Sequence, residues 1–194
     1  MNIKEASNIL KLSYLRESYE DLIEESSNLN LSNEEFLKLF LEREVERRKN
    51  NGIARRIRNA KFINKKFLED FDKTKYSLEL NKKFEYLETL KFIDNKENII
   101  MIGTPGCGKT HYATALGIKT CMKGKNVLFT LVPNLVIELQ EAMSKNQISN
   151  YKKKFEKYDL VILDELGYVS FDKTGCETVS YTHLRAHETK ANIV

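Results

Sequence analysis

Asn98-Ile99-Ile100-Met101-Ile102-Gly103-Thr104-Pro105-Gly106-Cys107-Gly108-Lys109-Thr110 is a short apolar run leading straight into the pattern G-x-x-x-x-G-K-T. The run predicts a buried strand, and the pattern predicts a phosphate-binding loop opening a helix. Gly103, Gly106 and Gly108 are expected to allow positive φ and a close backbone approach, so that loop amides point at a polyphosphate. The Lys109 ammonium suits the β- and γ-phosphates, the Thr110 hydroxyl suits Mg²⁺, and the positive end of the helix faces the same anion. Gly103, Thr104, Pro105, Gly106, Cys107, Gly108, Lys109 and Thr110 together form the candidate nucleotide site. Cys107 is read as a small filler rather than a redox group.

A loop of this pattern needs an acidic partner. Tyr158-Asp159-Leu160-Val161-Ile162-Leu163-Asp164-Glu165 supplies one, a β-branched apolar run ending in two carboxylates. So apolar a strand is buried on both faces, as in a parallel sheet, and its carboxylates emerge at the C-terminal edge, where open α/β sheets bind ligands. Asp164 is placed to hold the Mg²⁺ shell, and Glu165, the candidate catalytic residue, to polarise a water toward the γ-phosphate.

The rest of the chain sets limits. Its 194 residues allow one α/β core and a smaller appendage. No apolar run approaches the roughly 20 residues that span a bilayer, so a cytoplasmic protein without membrane contact is expected. Cys107, Cys121 and Cys176 have neither metal-ligand spacing nor disulfide density. The formal charge of +4 hides a division: residues 1–42 carry 4 basic and 9 acidic side chains, residues 43–66 carry 10 and 2, and the remainder 18 and 17. A net +8 within 24 residues, including Arg47, Arg48, Arg55, Arg56, Arg58 and Lys61, fits a footprint on a DNA backbone. It fits equally a solvated helix face, or one paired with the acidic segment before it.

Ile9, Leu12, Leu15, Tyr19, Leu22 and Ile23 recur at helical spacing, predicting one helix that ends at Ser26-Ser27-Asn28. Ser32 with Glu35 forms a capping box for a second helix, whose apolar face is Phe36, Leu37, Phe40, Leu41 and Val45. Asn50-Asn51-Gly52 marks a candidate bend. Beyond residue 96 the pattern alternates strand and helix: 98–102, a helix over 109–122, a strand over 127–132, a helix entered at Pro133, a Lys-rich helix, and the carboxylate strand. The expected organisation is a helical partner- or DNA-binding domain over 1–66, a connector over 67–96, and a partial core over 97–177.

Particular strings resemble one family, the IstB/DnaC-type AAA+ ATPases, meaning IS21-type transposition helpers and replicative helicase loaders. They are Gly-Lys-Thr-His-Tyr-Ala-Thr-Ala-Leu-Gly at 108–117, Tyr-Asp-Leu-Val-Ile-Leu-Asp-Glu-Leu-Gly-Tyr at 158–168, and Asp-Lys-Thr-Gly-Cys-Glu at 172–177. The succession from Glu-Glu-Phe-Leu to Arg-Arg-Ile-Arg-Asn-Ala-Lys-Phe at 34–62 and Leu-Glu-Asp-Phe-Asp at 68–72 is also similar to that family. His111 is part of the resemblance, and the residues alone give it no role. The resemblance implies an α/β fold: a P-loop NTPase (AAA+) parallel sheet with flanking helices, preceded by a small all-helical domain. It implies ATP and Mg²⁺ as ligands, a homo-oligomer, and either a transposase or a replicative helicase as partner. Transposition helper leads because its pattern fits the helical region too; helicase loader is the alternative. A nucleotide-gated adaptor that does not hydrolyse ATP is a reading of another class, against which Glu165 argues.

After Glu177 the resemblance stops. Val179-Ser180-Tyr181-Thr182-His183-Leu184-Arg185-Ala186-His187-Glu188-Thr189 reads like the conceptual translation of a transposase-type sequencing adapter. Residues 178–194 are therefore expected to be a non-native tail on a core incomplete at its C-terminus. The sensor and arginine finger that the resemblance implies are missing, so weak or absent ATP hydrolysis is expected of this chain. His183 and His187 lack a third ligand and are assigned to that tail rather than to zinc.

Overall fold

The computed structural model describes residues 1–166 and the backbone of 191–193. Gly167, Tyr168, the 172–177 string, Cys176 and the adapter-like segment with His183, Arg185 and His187 lie outside the described residues. The chain separates into two compact units, Met1–Arg55 and Arg56–Val194.

The first unit is helical. The single helix predicted over its start is two, α1 (Ile3–Ile9) and α2 (Ser13–Asn28), because Lys11 between them takes a left-handed φ of 56°. The α3 helix (Asn33–Asn59) begins on the predicted capping box, with Ser32 N–H donating to Glu35 Oε2 at 2.8 Å and Glu35 N–H to Ser32 Oγ at 3.3 Å. It passes through Asn50-Asn51-Gly52 without a break. One interior glycine costs only about 1 kcal/mol, less than a 27-residue ladder supplies. Leu37, Leu41 and Val45 are exposed, so the predicted apolar face is only half used. Glu44, whose type gave no such signal, is buried instead.

Glu44 is buried because it caps another helix. Leu12 at the start of α2 offers no side-chain acceptor. The Glu44 carboxylate reaches across and accepts from Ser13 N–H and Tyr14 N–H, both at 2.8 Å. Those are orphan donors at the positive end of a helix dipole, where a carboxylate is favoured.

Among the described residues of the second unit the elements are η1 (Lys73–Lys75), α4 (Leu78–Glu88), α5 (Lys91–Asp94), α6 (Lys109–Met122), β1 (Val127–Leu131), α7 (Val132–Ser144), α8 (Ile148–Phe155), β2 (Leu160–Asp164) and β3 (Ala191–Ile193). The order in the sheet is β1-β2-β3, and both pairings are parallel. Leu160, Val161 and Ile162 are buried in succession, as a strand covered on both faces requires. The predicted strand over 98–102 is not formed among the described residues: Ile99 makes an isolated bridge, and its neighbours belong to no strand. Its residues alternate, with Ile99 and Met101 packed on the core and Ile100 and Ile102 exposed, so it is covered on one face rather than two.

The α6 helix lies closest to the sheet. A Cβ on Gly117 would sit 2.8 Å from Ile162 Cδ1 and 2.8 Å from Phe62 Cε1, an overlap costing on the order of 1–3 kcal/mol in a packed core. The 60–62 segment is itself tied to the sheet edge, since Phe129 N–H donates to the Ala60 carbonyl at 2.8 Å.

Glu44→Ala strands the Ser13 and Tyr14 N–H donors and should lower the free energy of urea unfolding by about 1–3 kcal/mol. An unchanged midpoint would show that water caps α2 as well as Glu44 does.

Candidate functional site

The loop between the extended run and α6 is exposed from Gly103 to Gly106 and turns inward at Cys107. Gly106 and Gly108 have φ of +79° and +85°, as predicted for positions that L side chains avoid. Gly103 suits its position for another reason. Its φ is not left-handed, but a Cβ there would stand 2.7 Å from Cys107 Sγ, so a side chain at the first position of the loop would have to turn the Cys107 thiol aside. Cys107 thus fills space against Gly103, in keeping with its reading as a filler.

Lys109 Nζ donates to the carbonyls of Gly103 at 2.8 Å and Thr104 at 3.0 Å. The ammonium therefore lies over the exposed limb of the loop. Thr110 Oγ1 donates to Asp164 Oδ2 at 2.9 Å, joining the end of the loop to the end of β2 across 54 positions of sequence. Asp164 Oδ1 accepts from Glu165 N–H at 3.0 Å, so both carboxylate oxygens are oriented. Glu165 is exposed, and its φ of 62° turns the chain sharply just after the strand. A hydroxyl and a carboxylate side by side form an all-oxygen donor set, which suits a hard divalent cation such as Mg²⁺.

Sequence reasoning missed the support beneath the loop. Tyr76 Oη donates to the Cys107 carbonyl at 2.7 Å, and Phe71 stacks on Tyr76 at 5.3 Å with 18° between planes. Phe71 also meets Tyr112 at 4.9 Å and His111 at 5.5 Å. His111 Nε2 lies 3.2 Å from the Phe67 carbonyl, which gives this residue a place against the connector. The Tyr112 hydroxyl donates to the Phe84 carbonyl at 3.0 Å, and burial with the nearby Glu88 charge keeps that phenol protonated. Aromatic spacing over 67–84 carries no helical period, so only the fold brings these rings together.

The basic stretch is partly spoken for. Arg47 pairs with Glu17, Arg43 with Glu25 at 3.1 Å, and Arg48 donates to the Lys11 carbonyl at 3.4 Å. Arg55 and Arg58 are exposed, and Arg56 is half-buried. Lys61 lines a groove of about 180 Å³ with β1, α7 and α8. There Glu138 accepts from Tyr151 at 2.8 Å and Lys154 at 3.1 Å, and these bonds outweigh burial to hold its carboxyl below the usual range. No residue of the phosphate loop reaches that groove.

The two described thiols differ in a way that tests the loop. Burial pushes Cys121 up to about 11, leaving about a thousandth as thiolate at pH 8, whereas Cys107 is half-exposed on the loop. Iodoacetamide at pH 8, followed by peptide mapping, should label Cys107 well before Cys121, and ATP should slow labelling at Cys107. Equal rates with and without ATP would place the nucleotide elsewhere.

A protein-family model described as IstB-like ATP binding protein matches residues 5–194. The putative ATP-binding protein of insertion sequence IS21 from Pseudomonas aeruginosa is 32% identical over 185 residues, covering 95% of this chain and 69% of that protein. The corresponding protein of insertion sequence IS5376 from Geobacillus stearothermophilus is 31% identical over 186 residues, covering 96% of this chain and 74% of its own length. Among solved structures, AMPPCP-bound DnaA from Aquifex aeolicus superposes with a TM-score of 0.55 at 21% identity, over 68% of this chain and 42% of DnaA, a likeness of fold. With the phosphate loop and the carboxylate strand joined as described, the chain belongs to the family of IstB-like ATP-binding proteins, on an AAA+ P-loop fold.

Proposed function

We propose that this chain binds ATP with Mg²⁺ and serves DNA transposition as the nucleotide-dependent helper of a transposase. The observation that carries the proposal is the 2.9 Å bond between Thr110 and Asp164, which unites the two halves of a nucleotide site at the C-terminal edge of a parallel sheet. The insertion-sequence origin of the relatives supports the transposition reading.

Each residue has a part. The loop amides and the first turn of α6 cradle the β-phosphate. Phosphate oxygens are charged acceptors and draw the Lys109 ammonium from the two neutral carbonyls it now touches. Thr110 and Asp164 would hold Mg²⁺, whose chemistry there is to neutralise phosphate charge. Glu165 accepts a proton from, and orients, the water that attacks the γ-phosphate. As the family resemblance implies, full-rate hydrolysis also draws on an arginine from a neighbouring copy in a homo-oligomer, a group worth on the order of 10³–10⁵ in rate; the strings that carry the resemblance do not include it, so slow turnover is expected of this chain.

The DNA reading rests on charge. Arg55 and Arg58 are exposed and, with Arg56, are best placed for phosphates. Arg47 and Arg48 remain available as well, because exposed pairs such as Arg47–Glu17 are worth about 0–1 kcal/mol and exchange readily for phosphate.

Lys109→Ala should abolish tight ATP binding, measured by titration, and Glu165→Gln should bind ATP normally but turn it over at a small fraction of the parental rate. Parental affinity in the first variant would sink the loop reading. Parental turnover in the second would leave Glu165 a surface acid.

Affinity for arbitrary duplex DNA should fall steeply with salt, and Arg55→Ala, Arg56→Ala and Arg58→Ala combined should flatten the slope of log K against log salt by up to about 3. An unmoved slope would assign this face to a protein partner, and recovery of a replicative helicase instead of a transposase by residues 1–66 would overturn the transposition reading.

A further inference from the structure

We infer that Tyr76 is a positioning residue for the phosphate loop, acting through the Cys107–Gly108 peptide; this rests on the nucleotide reading above. The peptide is trans and planar, so its C=O and N–H point in opposite directions. The Tyr76 hydroxyl fixes the carbonyl end at 2.7 Å. The Gly108 N–H is thereby aimed away from Tyr76 and toward the inside of the loop, as a donor to phosphate. Without that bond the peptide has a low-cost alternative, because its rotation is taken up by ψ of Cys107 and φ of Gly108, and glycine tolerates both signs of φ.

The ring beneath keeps the hydroxyl in place. Phe71 stacks on Tyr76, and Phe84 meets both rings edge-on at 5.5 and 5.3 Å. A Cβ on Gly108 would stand 3.0 Å from Phe71 Cε2 and 3.0 Å from Tyr76 Oη, so the loop backbone rests directly on this pair. The connector therefore sets the direction of a phosphate donor more than 30 positions downstream.

Tyr76→Phe keeps the ring and removes only the hydroxyl. In the full chain it should weaken both ATP and ADP about three- to tenfold, the worth of one net hydrogen bond. The unfolding midpoint without nucleotide should fall only slightly, as the loss of one part-buried hydrogen bond dictates, and the ATP-induced shift of the Gly108 amide resonance should shrink. Tyr86→Phe, which removes the comparable exposed bond to Glu97 at 2.8 Å, is the control and should bind ATP like the parent. ATP affinity of Tyr76→Phe within twofold of the parent would overturn the inference. So would a loss of affinity that tracks a lowered unfolding midpoint with the Gly108 shift intact, since that is packing alone. If Lys109→Ala abolishes ATP binding while Tyr76→Phe does not weaken it, only this inference fails; if Lys109→Ala binds normally, the loop reading fails with it.

Discussion

The close seat of α6 on the sheet is the constraint from which the site follows. At Gly117 the helix and Ile162 leave no room for a methyl group. Moved outward by the length of a side chain, α6 would carry Thr110 out of hydrogen-bond range of Asp164. The same helix is buried from Tyr112 through Ile118, so it cannot tilt without opening the core on both faces. The Thr110–Asp164 contact is thus set by packing about two turns away, where glycine fits and a larger side chain would meet Ile162 and Phe62.

Electrostatics then divides the labour between the units. In the first, charges mostly satisfy one another: Glu44 answers the start of α2, and Arg43 and Arg47 answer Glu25 and Glu17. In the second, the loop gathers uncompensated partial positive charge from amides and a helix start, with one ammonium held by carbonyls rather than by a carboxylate. An ammonium tied to a carboxylate would need that ion pair broken before it could meet a phosphate. Neutral acceptors hold Lys109 in position and release it at lower cost.

Much of this was legible in the sequence wherever one residue type has one physical use. Gly106 and Gly108 at positive φ, the Ser32–Glu35 box, the buried run of β2 and the emergence of Asp164 beside Thr110 all follow from local chemistry. The misreadings have a common cause. The 98–102 run has the composition of a two-sided strand, but composition cannot tell whether neighbours flank it, and Ile100 and Ile102 are exposed. A face of Leu37, Leu41 and Val45 matched the helical period while the buried contact was made by Glu44, because a helix start elsewhere needed an acceptor. Gly103 was expected for its torsion and instead leaves room for the Cys107 thiol.

The connector shows most clearly where one-dimensional reading runs out. Phe67, Phe71, Tyr76 and Phe84 are spaced four, five and eight apart, which matches neither a helix face nor a strand. Their common purpose appears only when the chain folds under the loop. There they meet His111 and Tyr112 from the first turn of α6, and a hydroxyl, a carbonyl and a ring edge replace what a regular element would supply. A segment without a periodic signal can still be under tight constraint: the carbonyls of Phe67 and Phe84 meet the side chains of His111 and Tyr112, the Tyr76 hydroxyl holds the Cys107 carbonyl, and the Phe71 ring packs against Tyr76, Phe84, His111 and Tyr112.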